Sequence, residues 1–180
     1  VLVAPYDAKQ IYMAQISNLD KKYDPAIEPI RALYDEYFGG GMNSIVFQEM
    51  RETRGLAYSA WASIMPPSYL KYPYVLRTQI ATQNDKMIDA VTTFNDIINN
   101  MPESEAAFKL AKDGLTNRLR TERIIKGDII WSYINAQDLG QNVDPRIKLY
   151  NDIQNMSLKD IVDFQKQWVK GRTYVYCILG

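Results

Sequence analysis

The sequence predicts an α+β domain, with a mostly antiparallel sheet and helices packed on one face of it. Stretches of strand length alternate apolar and polar residues, while longer segments carry apolar residues at every third or fourth position. No repeat, low-complexity tract or linker interrupts the 180 residues, so we expect residues 1–180 to form a single domain. Val1, Leu2 and Val3 are typical of a strand interior, which indicates a domain cut from a longer chain.

The first half of the chain is predicted to contain three strands and two helices. Residues 10–19 alternate in polarity and predict the first strand. Asp24 and Pro25 are typical of an N-cap and a first helical residue, and the helical spacing of apolar residues ends at Gly39. A short helix and the two strands of a hairpin are expected over residues 43–51, 57–65 and 74–82.

The second half is predicted to be mostly helical. A helix begins at Asn84, carries apolar residues at the spacing of a face packed on a sheet, and ends before Pro102. Ser157 and Asp160 resemble a capping box that begins a last helix through Trp168. The other expected elements are three helices and a final strand, over residues 103–125, 129–139, 145–153 and 173–179.

Composition argues against several classes of function. The 21 Lys and Arg residues balance 21 Asp and Glu residues, whereas a nucleic-acid-binding domain usually has a basic excess. No apolar run approaches the ~20 residues of a membrane-spanning helix. The single cysteine, Cys177, excludes an internal disulfide. We expect it to be a buried, small apolar residue, because no histidine or basic neighbour activates its thiol.

The sequence contains no histidine, which restricts the chemistry of this chain. Most zinc hydrolase sites use at least one imidazole ligand, and Ser-His and Cys-His pairs need a histidine base. We therefore expect neither a metal site nor catalytic residues here. Carboxylate-only magnesium or glycosidase chemistry stays open in principle, but no spacing of Asp and Glu favours it.

Two other features are interpreted structurally. The glycines at 39–41 follow a helix, and no Lys-Ser or Lys-Thr comes after them, so a helix end explains them better than a nucleotide-binding loop. Acidic residues accompany a basic cluster in the second half, which favours a solvated helix face over a phosphate site. The cluster consists of Arg118, Arg120, Arg123 and Lys126.

The segment from Phe47 to Ser59 is the strongest candidate for a binding site. A short charged helix turns at Gly55 into a strand, so Arg51 and Tyr58 could converge on one side of the turn. A guanidinium and a phenol hydroxyl there would suit peptide carbonyls or a developing oxyanion. Taken alone, the residues favour a structural interpretation, with a salt bridge for Arg51 and a packed ring for Tyr58.

This segment and the glycines before it resemble the pitrilysin/insulinase family of zinc metallopeptidases. The residues from Tyr37 to Ser44 match its glycine turn, and those from Arg51 to Ser59 match its element R-E-x-x-G-L-A-Y-S. The resemblance extends over essentially the whole chain. Members of the family have two homologous halves, each with two α/β domains, which enclose a chamber. One half carries the inverted zinc motif H-x-x-E-H, which this chain lacks.

The resemblance implies an α/β roll from the non-catalytic, C-terminal half of such an enzyme. In active members that half contributes an Arg and a Tyr seven residues apart that hold the substrate backbone, so Arg51 and Tyr58 are expected to bind peptide. Zinc is expected in a partner half, fused or separate. Ile45 departs from the pattern, since many relatives have an arginine there. The alternative is a structural or assembly subunit that has lost peptidase activity.

Overall fold

The computed structural model describes residues 9–180, which contain one four-stranded sheet. Its strands are Gln10–Lys22 (β1), Ser59–Met65 (β2), Pro73–Gln83 (β3) and Val175–Leu179 (β4). They are ordered β2-β3-β1-β4, and every neighbouring pair is antiparallel. The predicted α+β class with an antiparallel sheet is confirmed, whereas the expectation for Val1, Leu2 and Val3 falls outside the described residues.

The sheet is accompanied by helices that account for most of the second half of the chain. They are Glu28–Phe38 (α1), Ile45–Phe47 (α2), Met87–Asn99 (α3), Glu105–Thr121 (α4), Gly127–Asp138 (α5), Pro145–Ile153 (α6) and Leu158–Trp168 (α7). Helix α2 continues as a π-helical segment, Gln48–Thr53, and a 3₁₀ turn, Asn84–Lys86, precedes α3. Within residues 9–180, none of the helices has both the length and the apolar character needed to cross a membrane.

Helix α1 begins later than the sequence predicts, at Glu28 instead of Pro25. Asp24 does accept a backbone hydrogen bond, from the Ala26 amide to its Oδ1 at 2.8 Å, but this bond closes a turn ahead of the helix. The proline in the first turn of the helix is Pro29. An Asp-Pro pair suits a turn as well as a helix start, so local sequence does not distinguish the two.

The core lies between one face of the sheet and the helices. Tyr34 of α1 stacks on Phe38 and contacts Phe164 of α7, both with ring centroids 5.2 Å apart. Phe164 stacks in turn on Trp168 at 5.0 Å. Burying one such large apolar side chain stabilises the fold by about 1.5–3 kcal/mol. This packing fixes the end of α1, from which the glycine turn departs. Buried strand residues beneath the helices include Met13, Ala60 and Ile80.

The opposite face of the sheet is exposed, and here the prediction for Cys177 is wrong. Cys177 is exposed on β4, opposite Ala14 of β1, and all five β4 residues are exposed. Strand β4 is an edge strand, so it has a neighbour on one side only. An apolar strand sequence indicates burial only if a second layer covers the sheet, and antiparallel sheets often leave one face open.

Helix α5 has an apolar surface but no buried residue. Ile130, Trp131 and Tyr133 are 63%, 65% and 64% exposed. A helix of this length is only marginally stable in water by itself, and a large exposed apolar patch is typical of an interaction surface.

A largely buried polar cluster joins α1 to β2. The Arg31 guanidinium donates to Asp35 Oδ2 at 2.8 Å and to the Ile64 carbonyl at 3.0 Å. Asp35 also accepts from the Ile64 amide at 2.8 Å and from the Ser63 hydroxyl at 2.9 Å. Burial raises the pKa of Asp35 to about 6, although Arg31 and the hydrogen bonds from Ile64 and Ser63 oppose this shift.

This raised pKa predicts a pH-dependent stability. The folded state binds the Asp35 proton more tightly than the unfolded state, where the pKa is about 4. Stability from this group is therefore fully present below about pH 4 and is lost as pH rises to about 6. The loss is on the order of 2–3 kcal/mol. We expect the unfolding free energies of wild type and Asp35→Asn to converge or cross over this interval.

Urea denaturation at several pH values measures this difference. Ser63→Ala serves as a companion variant, because removing a hydrogen bond to the carboxylate should raise the pKa of Asp35 further. Parallel stability curves for wild type and Asp35→Asn between pH 4 and 6 would contradict the assignment.

Candidate functional site

The short helix that carries Arg51 is positioned by the glycine turn. Gly39 lies so close to the β2 backbone that an added Cβ would be 2.2 Å from the Ala62 carbonyl oxygen. Ser44 then caps α2, because its hydroxyl oxygen accepts from the Phe47 amide at 3.3 Å. Val46 and Met50 are fully buried and hold the helix against the core. Ile45, where many family members have an arginine, is also buried.

The chain reverses direction between Met50 and Ala57. The Met50 carbonyl accepts from the amides of Leu56 and Ala57, at 2.8 and 3.2 Å. Gly55 makes this possible with a φ of +58°, a conformation that other residues rarely adopt. Arg51 and Tyr58 each directly follow one member of the Met50–Ala57 hydrogen-bonded pair. Arg51 therefore lies within the turn, and Tyr58 lies just beyond it, immediately before β2.

Arg51 has no strong partner among the described residues. Its guanidinium carbon lies 5.0 Å from the centre of the Phe47 ring, and its Nε lies 3.7 Å from Glu52 Oε1. The Arg51 and Glu52 side chains are 51% and 53% exposed. An exposed ion pair of this length contributes little to stability. The salt bridge that the residues alone favoured is therefore present only as a long ion pair on the exposed surface.

Tyr58 is 52% exposed, so the packed ring that the residues alone favoured is wrong. Its amide donates to the Ala81 carbonyl at 2.8 Å, which fixes the backbone at the start of β2. Its hydroxyl accepts from Gln83 Nε2 at 3.1 Å. Tyr58 lines a shallow depression of about 100 Å³ between the turn and the end of β3.

The end of β3 and the 3₁₀ turn after it supply neighbours of Tyr58 that the sequence motif did not identify. Thr82 Oγ1 donates to the Leu56 carbonyl at 2.6 Å, and Lys86 Nζ donates to the Gly55 carbonyl at 3.1 Å. With Gln83 these side chains line the depression beside Tyr58. The hairpin pairing gives the signal that could have located them, because Ser59 lies opposite Ala81 and the next β3 residues must flank the turn.

The site is a surface of hydrogen-bond donors without a metal centre. In residues 9–180, no group of three or more His, Cys, Asp and Glu side chains is arranged to hold a metal ion. Larger cavities of about 380 and 430 Å³ lie beside α5 and α6, and neither includes Arg51 or Tyr58. A guanidinium and a phenol next to a chain reversal can bind carbonyl or carboxylate oxygens.

The fold is that of a domain of the peptidase M16 family, as the comparison with family models shows. A family model described as "Peptidase M16 inactive domain" matches residues 12–115. The chain therefore belongs to the family of peptidase M16 inactive domains. This confirms the resemblance to the non-catalytic half of pitrilysin-type enzymes, and the matched residues include both Arg51 and Tyr58.

Solved structures share the fold at low sequence identity. A peptidase M16 inactive domain from Pseudomonas fluorescens is 14% identical with a TM-score of 0.75, and the match covers 96% of this chain and 41% of that one. An inactive peptidase domain from Bordetella parapertussis is 11% identical with a TM-score of 0.73, and the match covers 98% of this chain and 96% of that one.

A third matching structure is a chain of a protein complex. It is a chain of complex III2 from Candida albicans, solved with Inz-5 bound, with 13% identity and a TM-score of 0.67. The match covers 96% of this chain and 43% of that one. No curated protein matches this chain.

Proposed function

We propose that this chain is the peptide-binding, metal-free domain of a zinc metalloendopeptidase, in which Arg51 and Tyr58 hold the substrate backbone. One observation carries the proposal. Arg51 and Tyr58 each follow one member of the Met50–Ala57 hydrogen-bonded pair in the sequence, and both are about half exposed, at 51% and 52%. Exposed donors on a hydrogen-bonded turn contribute little to folding, so binding explains their placement better than stability does.

The zinc ion and the catalytic residues belong, in this proposal, to a partner half that is fused or separate. The absence of histidine from the sequence supports this division, because zinc peptidase sites use imidazole ligands. Arg51 and Tyr58 would donate to substrate carbonyls beside that zinc. Negative charge grows there in the transition state, and fixed donors stabilise it.

A structural subunit without peptidase activity is the second candidate function. The similarity to a chain of complex III2 favours it, because that protein shares this fold within an assembly. The two candidates differ in what they require of the turn. A scaffold needs the Met50–Ala57 reversal to fold but has no use for an exposed guanidinium and hydroxyl on it.

Replacing Tyr58 by Phe in the full protein tests the proposal. The substitution removes one hydroxyl and keeps the ring, so we expect kcat/KM for an internally quenched peptide to fall by about tenfold. Zinc content and melting temperature should not change, because Tyr58 is half exposed. Tyr69→Phe, which alters another exposed tyrosine on a distant loop, is the matched control. Peptide turnover that is equal in wild type and Tyr58→Phe, or absent from the wild type, would reject the proposal.

A further inference from the structure

Gln83 faces the hydroxyl of Tyr58 from the end of β3. Its Nε2 donates to the Tyr58 oxygen at 3.1 Å. Two nearby side chains donate instead to backbone carbonyls of the same turn. Those two are Thr82, which donates to the Leu56 carbonyl at 2.6 Å, and Lys86, which donates to the Gly55 carbonyl at 3.1 Å. Thr82 and Lys86 therefore fix the turn through its backbone, while the Gln83 side chain donates to the side chain of Tyr58.

We propose that Gln83 is a positioning residue that makes Tyr58 a hydrogen-bond donor toward peptide. A phenol hydroxyl has one proton to donate, and its oxygen can accept at the same time. Because the Gln83 amide occupies an acceptor position of that oxygen, the Tyr58 proton stays free for a carbonyl of the ligand. Accepting one hydrogen bond also strengthens the bond that the same hydroxyl donates. This inference rests on the proposed function of the site.

The direction of the hydrogen bond makes the inference testable with variants of similar size. In Gln83→Glu a carboxylate replaces the amide, and a carboxylate can only accept. The Tyr58 hydroxyl would then donate its hydrogen bond to the introduced carboxylate, and this donor would no longer be available to the ligand. In Gln83→Lys an ammonium replaces the amide and can only donate, so the Tyr58 proton stays available. Gln83 is exposed, and neither change should disturb the core.

The experiment measures kcat/KM for an internally quenched peptide with the full protein. We expect Gln83→Glu to lower it by about tenfold, which corresponds to the loss of one hydrogen bond at the reacting carbonyl. Gln83→Lys should stay within about twofold of wild type. In the Tyr58→Phe background, Gln83→Glu should have no further effect, because the hydroxyl that it would capture is gone. Gln167→Glu, the same change at an exposed position of α7, is the control for charge.

The outcomes separate this inference from the function on which it rests. If Tyr58→Phe has no effect on turnover, the proposed function itself fails. If Tyr58→Phe lowers turnover but Gln83→Glu matches wild type, Gln83 does not position Tyr58. The inference is equally overturned if the effects of Gln83→Glu and Tyr58→Phe add in full, or if Gln83→Lys is as slow as Gln83→Glu.

Discussion

Arg51→Ala is expected to lower peptide turnover by about a hundredfold without destabilising the fold. In the proposed function the guanidinium donates to the substrate backbone where negative charge develops, and the loss of such a donor costs about 3 kcal/mol. The domain itself should lose little stability, because Arg51 makes only weak contacts with described residues. They are an exposed ion pair with Glu52 at 3.7 Å and a contact of the guanidinium with the Phe47 ring at 5.0 Å. Turnover and melting temperature should be measured on the same preparations.

Arg54→Ala is the matched control for this experiment. Arg54 lies three residues further on and pairs with Glu49 at 3.4 Å on the exposed surface, so its removal changes net charge equally. We expect its turnover to stay within about threefold of wild type. Arg51→Lys should recover only part of the activity, since an ammonium lacks the planar fork of a guanidinium. If Arg51→Ala is mainly unstable while its folded fraction turns over peptide normally, Arg51 is a structural residue.

Gly39→Ala is expected to lower the free energy of unfolding by about 3 kcal/mol, the upper part of the range for overpacked positions. A Cβ at this position would lie 2.2 Å from the Ala62 carbonyl oxygen and 2.4 Å from its nitrogen. Both are backbone atoms of β2, which cannot rotate away as a flexible side chain would. Either α1 or β2 must move, and the aromatic contacts of α1 are then disturbed. Urea denaturation measures the change.

Gly41, two residues further along the same turn, provides the comparison for this stability experiment. A Cβ on Gly41 would meet no atom within 4 Å, so Gly41→Ala should change stability by no more than about 0.5 kcal/mol. The two substitutions are chemically identical and two residues apart. If both variants lose the same free energy of unfolding, the turn needs glycine for its backbone freedom. The close approach of α1 to β2 would then not explain the glycine at position 39.

The segment after the turn illustrates how far sequence determines this site. The residues from Arg51 to Tyr58 identify the family and predict a helix that turns into a strand, because Gly55 is adapted to that conformation. The same residues did not predict the exposure of Arg51 and Tyr58. Exposure depends on which residues of other elements lie against a side chain, and at Tyr58 those residues come from β3.

Local sequence was least informative at the ends of elements and on the open face of the sheet. Asp24 and Pro25 fit a helix start and a turn equally well, and the helix in fact begins at Glu28. Cys177 lies in an apolar strand typical of a core, yet it is exposed on an edge strand. Both errors have one cause, which is that a short pattern records what a segment can form and not what packs against it.

The sequence by itself determined the fold class, the family and the absence of histidine ligands, because periodicity, a contiguous motif and composition are properties of the chain. Only the tertiary structure brought Gln83 and Lys86 to the turn of Tyr58, through the antiparallel pairing of β2 with β3. These contacts join residues 25 or more positions apart. A hydrogen bond depends on distance and direction in space, and strand pairing supplies both where sequence separation supplies neither.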